Sequence, residues 1–219
     1  MWDPHEHQIR SATIVYLCYT VDSCRNHRCF AHIVNLACKA LMSELEEMGY
    51  RVIARLHTLI KMIRGSSLRQ DHFLACVKQI LRKELHLILD IEICWSSTYL
   101  MVEHAIFLQH ASTTYLAHTH FLSDSDWDLL VEMKSVLEVP HLFQQCLSAE
   151  KTPTLCDTIP AFEAMFAKWS NLQHTYPQLS GALEAGLEKL QDYIDLIRPV
   201  PAYTLAMGKY ALRITSNHY

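Results

Sequence analysis

The chain has 219 residues, half of them hydrophobic, with only five glycines and a formal net charge of −4. That length and apolar content suit a folded protein with a substantial core, and they argue against a β-rich or disordered chain. No run of about 18 or more uninterrupted apolar residues occurs, and the segment Met1 to Glu6 is not a charged-then-apolar export signal, so the expectation is an intracellular protein with no membrane partner.

The eight cysteines, Cys18, Cys24, Cys29, Cys38, Cys76, Cys94, Cys146 and Cys156, are scattered along the chain, several on apolar helix faces. Most read as reduced, buried small hydrophobes rather than as a disulfide framework. The charge is uneven. Between Arg51 and Lys83 there are eight basic residues (Arg51, Arg55, Lys61, Arg64, Arg69, Lys78, Arg82 and Lys83) against one acid, Asp71. The window carries +7 and the remainder −11. A local basic block in an acidic protein is an electrostatic footprint for a polyanion, and its alternative is the solvated face of two helices.

In chain order, Ala12 to Val21 is rich in β-branched and aromatic residues and reads as a strand or a short helix. From Phe30 to Met48 the residues Ile33, Leu36, Ala37, Ala40, Leu41, Leu45 and Met48 recur at helical spacing, with Gly49 as the C-terminal cap. A second helix begins near Arg51 with Val52, Ile53, Leu56, Ile60 and Ile63 on one face, and Gly65-Ser66-Ser67 breaks it. A third carries Phe73, Leu74, Val77, Ile80 and Leu81 inward. Leu85 to Ile93 reads as an extended piece leading to Trp95, after which Ser96 or Ser97 caps a helix through Phe107.

Ser123-Asp124-Ser125-Asp126 has the form of a helix start, with a hydroxyl acceptor and acids at the positive end of the dipole. That helix carries Trp127, Leu130, Val131, Leu137 and, beyond a kink expected at Pro140, Phe143. Thr152-Pro153 begins another, with Phe162, Met165, Phe166 and Trp169, which Tyr176-Pro177 ends. A last one presents Leu179, Leu183, Leu187, Leu190, Ile194 and Ile197 before Pro199 and Pro201.

The densest set of potential metal ligands is Cys24, His27, Cys29 and His32, but its spacing is not a common zinc pattern. His104, His110, His118 and His120 lack a matched carboxylate or cysteine partner in sequence. No phosphate-cradling glycine loop, nucleophile elbow or dinucleotide fingerprint is present. Trp95, beside serines at a helix start, has two readings: an indole face on which an unpaired base stacks, or a core residue.

The order of these stretches resembles that of hAT-superfamily DNA transposases. Arg28-Cys29-Phe30-Ala31-His32-Ile33-Val34-Asn35-Leu36 is similar to the family's R-C-x-A-H-I-L-N-L, including its Cys-x-x-His pair. Ile63-Arg64-Gly65-Ser66-Ser67-Leu68-Arg69 resembles I-R-S-S-P-Q-R, and Asp90 to Met101 resembles D-V-P-T-R-W-N-S-T-Y-L-M. Leu122 to Trp127 looks like L-S-D-E-D-W, Pro153-Thr154-Leu155 follows as P-T-L, and Pro201 to Met207 is similar to P-A-Y-T-L-A-M.

In these transposases a long helical insertion interrupts an RNase H-like core whose three acids hold Mg or Mn. The resemblance therefore implies a mainly α chain: a short, poorly defined remnant of that core over 1–27, with a possible strand, then an all-helical insertion domain over 28–219. Asp3 and Asp22 lack the family's D-N-x-x-N-N surroundings, so no catalytic acid, metal ligand or cofactor is carried over, and strand cleavage is expected to fail. The DNA-facing residues that carry over are Cys29, His32 and Trp95, to which the basic block adds Arg64, Arg69, Lys78 and Arg82. The family's Arg before the tryptophan is Cys94 here and its Asn after it is Ser96, which removes a phosphate-binding fork. The expectation is a truncated, catalytically inactive transposase fragment, nuclear, contacting transposon-end DNA. The alternatives are a helical protein-interaction module that self-associates or docks to a full-length transposase, a non-functional truncated product, and a zinc enzyme on the Cys24 to His32 cluster.

Overall fold

The computed structural model describes residues 30–91, 95–115, 121–149 and 155–197. Of these, 85% are helical and none is in a strand, so the chain is mainly α. The strand expected near the N-terminus, and the whole of 1–27, lie outside the described residues. In order the helices are α1 (Phe30–Glu47), α2 (Val52–Arg64), α3 (Ser67–Leu81), α4 (Trp95–Phe107), α5 (Gln109–Tyr115), α6 (Asp124–Ala149), α7 (Leu155–Thr175) and α8 (Ser180–Ile197), with a 3-10 turn at Pro177–Leu179.

Two compact units divide them. The first is Gly49–Leu137, and the second, in its described part, is 30–48 with 138–197. In the first, α3 packs on α2 and on α5. Leu56, Leu59, Ile60 and Ile63 of α2, Phe73 and Val77 of α3, and Met101, Val102 and Ala105 of α4 share one core with Trp127 and Leu130 of α6. Leu85 and Leu87, from the non-helical stretch between α3 and α4, are buried in it too.

Gly49 ends α1 with φ +89, a left-handed conformation that glycine adopts without steric cost, as its place after the apolar run predicted. The helix from Trp95 ends at Phe107, as its apolar residues predicted, and α5, which the sequence did not announce, follows it. Helix α6 continues beyond Pro140, as expected, to Ala149. Of the apolar residues named for this helix, Val131 is 46% exposed, while Trp127, Leu130 and Leu137 are buried. The start expected at Thr152-Pro153 lies outside the described residues.

In the second unit α8 packs against α1 and α7. Ile33, Ala37, Leu41 and Leu45 of α1, at four-residue spacing, and Leu183, Leu187, Leu190 and Ile194 of α8, three or four residues apart, are buried. Gly186 marks the closest approach. A Cβ there would stand 2.7 Å from Cζ3 of Trp169 and 3.4 Å from both the Ala37 carbonyl oxygen and Leu41 Cβ. Gly181, one and a half turns earlier, would meet only the flexible Met48 Sδ at 3.4 Å.

Gly186→Ala is therefore expected to destabilise the fold by about 1–3 kcal/mol through overpacking. Gly181→Ala should be neutral or gain up to about 1 kcal/mol from helix propensity. Urea midpoints of the two variants check both, and equal midpoints would contradict this account of the α1–α7–α8 contact.

Candidate nucleic-acid interface

Helix α2 supplies much of the basic block, and its geometry decides which charges are available. At about 100° per residue, the face formed by Val52, Leu56, Leu59, Ile60 and Ile63 turns inward, leaving Arg55 on one flank and His57 with Arg64 on the other. Each flank meets a neighbour in the same unit. The Arg55 guanidinium donates to Asp126 Oδ1 at the start of α6. On the other flank, Arg64 Nη1 donates to the Leu87 carbonyl at 3.2 Å, and His57 Nε2 lies 3.0 Å from Asp90 Oδ1.

Asp126 closes a reciprocal cap. Its Oδ2 accepts from the Ser123 backbone N–H at 2.9 Å and from the Ser123 hydroxyl at 2.8 Å, while its own N–H donates to Ser123 Oγ at 3.3 Å. Burial alone would raise the carboxyl pKa. The Ser123 hydrogen bonds and the Arg55 charge outweigh burial and hold it below the usual carboxylate value.

Asp90 is the second carboxylate that this arrangement takes out of water. Its side chain is 8% exposed, and Oδ2 accepts from Thr98 Oγ1 at 3.0 Å. The His57 N–H is near Oδ1 but not aimed at it, and no hydrogen bond reaches that oxygen among the described residues. Ser97 is not a helix cap as expected. Its hydroxyl turns back to Ile91, accepting from the N–H at 2.8 Å and donating to the carbonyl at 3.1 Å. The first turn of α4 thus holds the extended segment by hydroxyls, and Ser96, Ser97 and Thr98 are all buried.

Trp95 opens α4 and is 5% exposed. The indole is a packing residue in this conformation, and a base could stack on it only after the surrounding chain moved aside. Of the other expected contacts, Cys29 lies outside the described residues, and His32 is exposed on the first turn of α1, which belongs to the second unit. Arg64, Arg69, Lys78 and Arg82 are all exposed and belong to the first unit. They do not share one face: Arg69 and Lys78 are nine residues apart on α3, about 180° around the axis.

Their engagements differ as well. Lys78 Nζ pairs with Glu84 at 2.6 Å, both side chains more than half exposed, and this pairing lowers the Glu84 pKa. An exposed pair of that kind contributes about 0–1 kcal/mol and exchanges readily for another anion. Arg69, Arg82, Lys83 and Arg51 have no acid partner among the described residues. No group of three or more potential metal ligands occurs among the described residues. Part of the Cys24 to His32 cluster falls outside them.

The domain family described as the ZBED1 RNase-like helical domain matches residues 27–137, just over half of the chain. The chain belongs to this family. It is a hAT-related, transposase-derived helical domain, in agreement with the order of motifs in the sequence. The match ends at the residue that closes the first unit, so the carboxylate clamps of α2 and the unpaired cations all lie within it. No curated protein and no solved structure matches the chain.

Trp95→Ala should cost about 3–5 kcal/mol of stability, as for other buried aromatic truncations. A wild-type urea midpoint for that variant would show that the indole is not part of the core. For Asp126, the depressed native pKa stabilises the fold above the unfolded carboxylate value, and this is lost as pH falls through the native value. The gap in urea midpoint between wild type and Asp126→Asn should therefore narrow between about pH 5 and pH 2. A pH-independent gap would sink that assignment.

Proposed function

We propose that the first unit binds DNA through cations that the chain's own carboxylates leave unengaged, as the non-catalytic DNA contact of a transposase-derived protein acting in the nucleus. One observation carries the reading: Arg51, Arg69, Arg82 and Lys83 are exposed and have no acid partner among the described residues. Arg64 and Lys78 can add to them. An arginine that gives one N–H to a carbonyl keeps further donors, and Lys78 can exchange Glu84 for a phosphate.

The contact is positional rather than sequence-reading, because isolated surface cations recognise phosphates and carry no base information. Membership of a hAT-related family supports DNA over other polyanions. Neither Asp3 nor Asp22 has the D-N-x-x-N-N surroundings of the metal-holding acid in these transposases, which supports a role in binding without strand cleavage.

Arg82 offers a clean test. It is the cap of α3 with φ 54, a conformation that glycine takes more easily than arginine, so Arg82→Gly removes a charge without straining the fold. Binding of the full chain to a DNA hairpin should weaken linearly on a log–log salt plot. Arg82→Gly and Arg69→Ala should each reduce the slope by about one. Absent or salt-insensitive binding would overturn the proposal. Salt-insensitive self-association of the chain would instead favour a protein-interaction role.

A further inference from the structure

One exposed ring in the first unit is held more firmly than its position on the surface requires. His72 lies on α3 and is exposed, yet its imidazole meets Tyr115 edge-on, with centroids 5.2 Å apart and planes at 61°. Tyr115, the last residue of α5, is half-buried and meets the buried Phe73 ring at 5.8 Å and 79°. A chain of edge-on contacts thus runs from the core, through tyrosine, to a solvent-facing histidine. Both separations fall in the range where aromatic pairs attract beyond simple area burial.

The surroundings of that ring are cationic and apolar rather than acidic. Arg69 precedes His72 by three residues, which makes them neighbours on the helix surface, and it has no acid partner among the described residues. Leu68, beside them, is 77% exposed. Asp71, the only acid in α3, projects about 100° from His72 and about 160° from Arg69 around the helix axis. An edge-on neighbour occupies at most one face of the imidazole, and the exposure of His72 leaves the other open to solvent.

Building on the DNA-binding reading above, we infer that His72, braced by Tyr115, and Arg69 form a stacking platform for unpaired nucleotides of single-stranded DNA. The ordered ring supplies a flat face whose conformational freedom is already spent. The arginine supplies the charge for the adjoining phosphate, and every base has a π-face, so the site tolerates sequence. It also gives the chain an exposed stacking residue, which Trp95 in its buried setting is not.

The test compares the full chain on a labelled oligo(dT) of about 20 nucleotides and on a blunt duplex of the same length, by fluorescence anisotropy. His72→Ala should weaken oligo(dT) binding about tenfold and leave duplex binding unchanged, with His72→Phe restoring the single-strand affinity. Arg69→Ala should weaken both. Wild-type affinity of His72→Ala for oligo(dT), or an equal loss on both DNAs, would overturn the platform while leaving the DNA-binding reading intact. Failure of the wild-type chain to bind either DNA would overturn both.

Discussion

A carboxylate taken out of water loses several kcal/mol of hydration unless its surroundings replace it, and the first unit takes out two. Asp126 and Asp90 stand against α2 on opposite flanks. Arg55 and His57, which meet them, are two residues apart and so about 200° apart around the helix. Helix α2 is thereby tied to the start of α6 on one side and to the segment before α4 on the other, across separations of 71 residues for Arg55–Asp126 and 33 for His57–Asp90. The hydroxyls of Ser123 and Thr98 complete the two sites, each from the first turn, or the cap, of the helix being tied. Removing Arg55 would leave the buried Asp126 carboxylate without its nearest counter-charge, a costlier state than loss of a surface ion pair.

The same ties change the meaning of the basic block. Counted within 51–83, eight cations face one acid, but the acids that engage two of the block's members, Asp126 on Arg55 and Glu84 on Lys78, lie beyond that window in sequence and within the same unit in space. Over Gly49–Leu137 as a whole there are nine basic and nine acidic residues. Any polyanion contact therefore depends on where the unpaired charges stand rather than on a net field. A few distributed cations bind weakly and with shallow salt dependence compared with a dense basic stripe.

Most helices were legible because their apolar residues repeat at 3.6-residue spacing and their ends carry local signals. Gly49, the Ser123–Asp126 cap and Tyr176-Pro177 act through neighbours within about four residues, and sequence exposes such neighbours directly. The features that sequence concealed depend on distant partners. Trp95 beside Ser96, Ser97 and Thr98 looks like a polar helix entrance, but the segment before it needs hydrogen-bond partners, and two of those hydroxyls are buried in supplying them, Ser97 to the Ile91 backbone and Thr98 to the Asp90 carboxylate. Gln109 to Tyr115 has no apolar repeat that would announce α5. Gly186 carries no local signal, because the Trp169 ring that requires it belongs to another helix. His72 carried no signal at all, since the tyrosine that orders it is 43 positions away.

A residue that stacks on a base must satisfy two demands that usually conflict: it must be exposed, and it must already be ordered. An indole resolves the conflict poorly in a small helical unit, because its large apolar area is more stable inside the core than beside it. Trp95 shows that outcome, gaining order by burial. An imidazole loses little by facing water, and a half-buried tyrosine anchored on Phe73 supplies the order from below. The α3–α5 contact that builds the core of the first unit is therefore also what fixes His72 at its surface, so the same packing that withdraws one aromatic ring from solvent presents another to it.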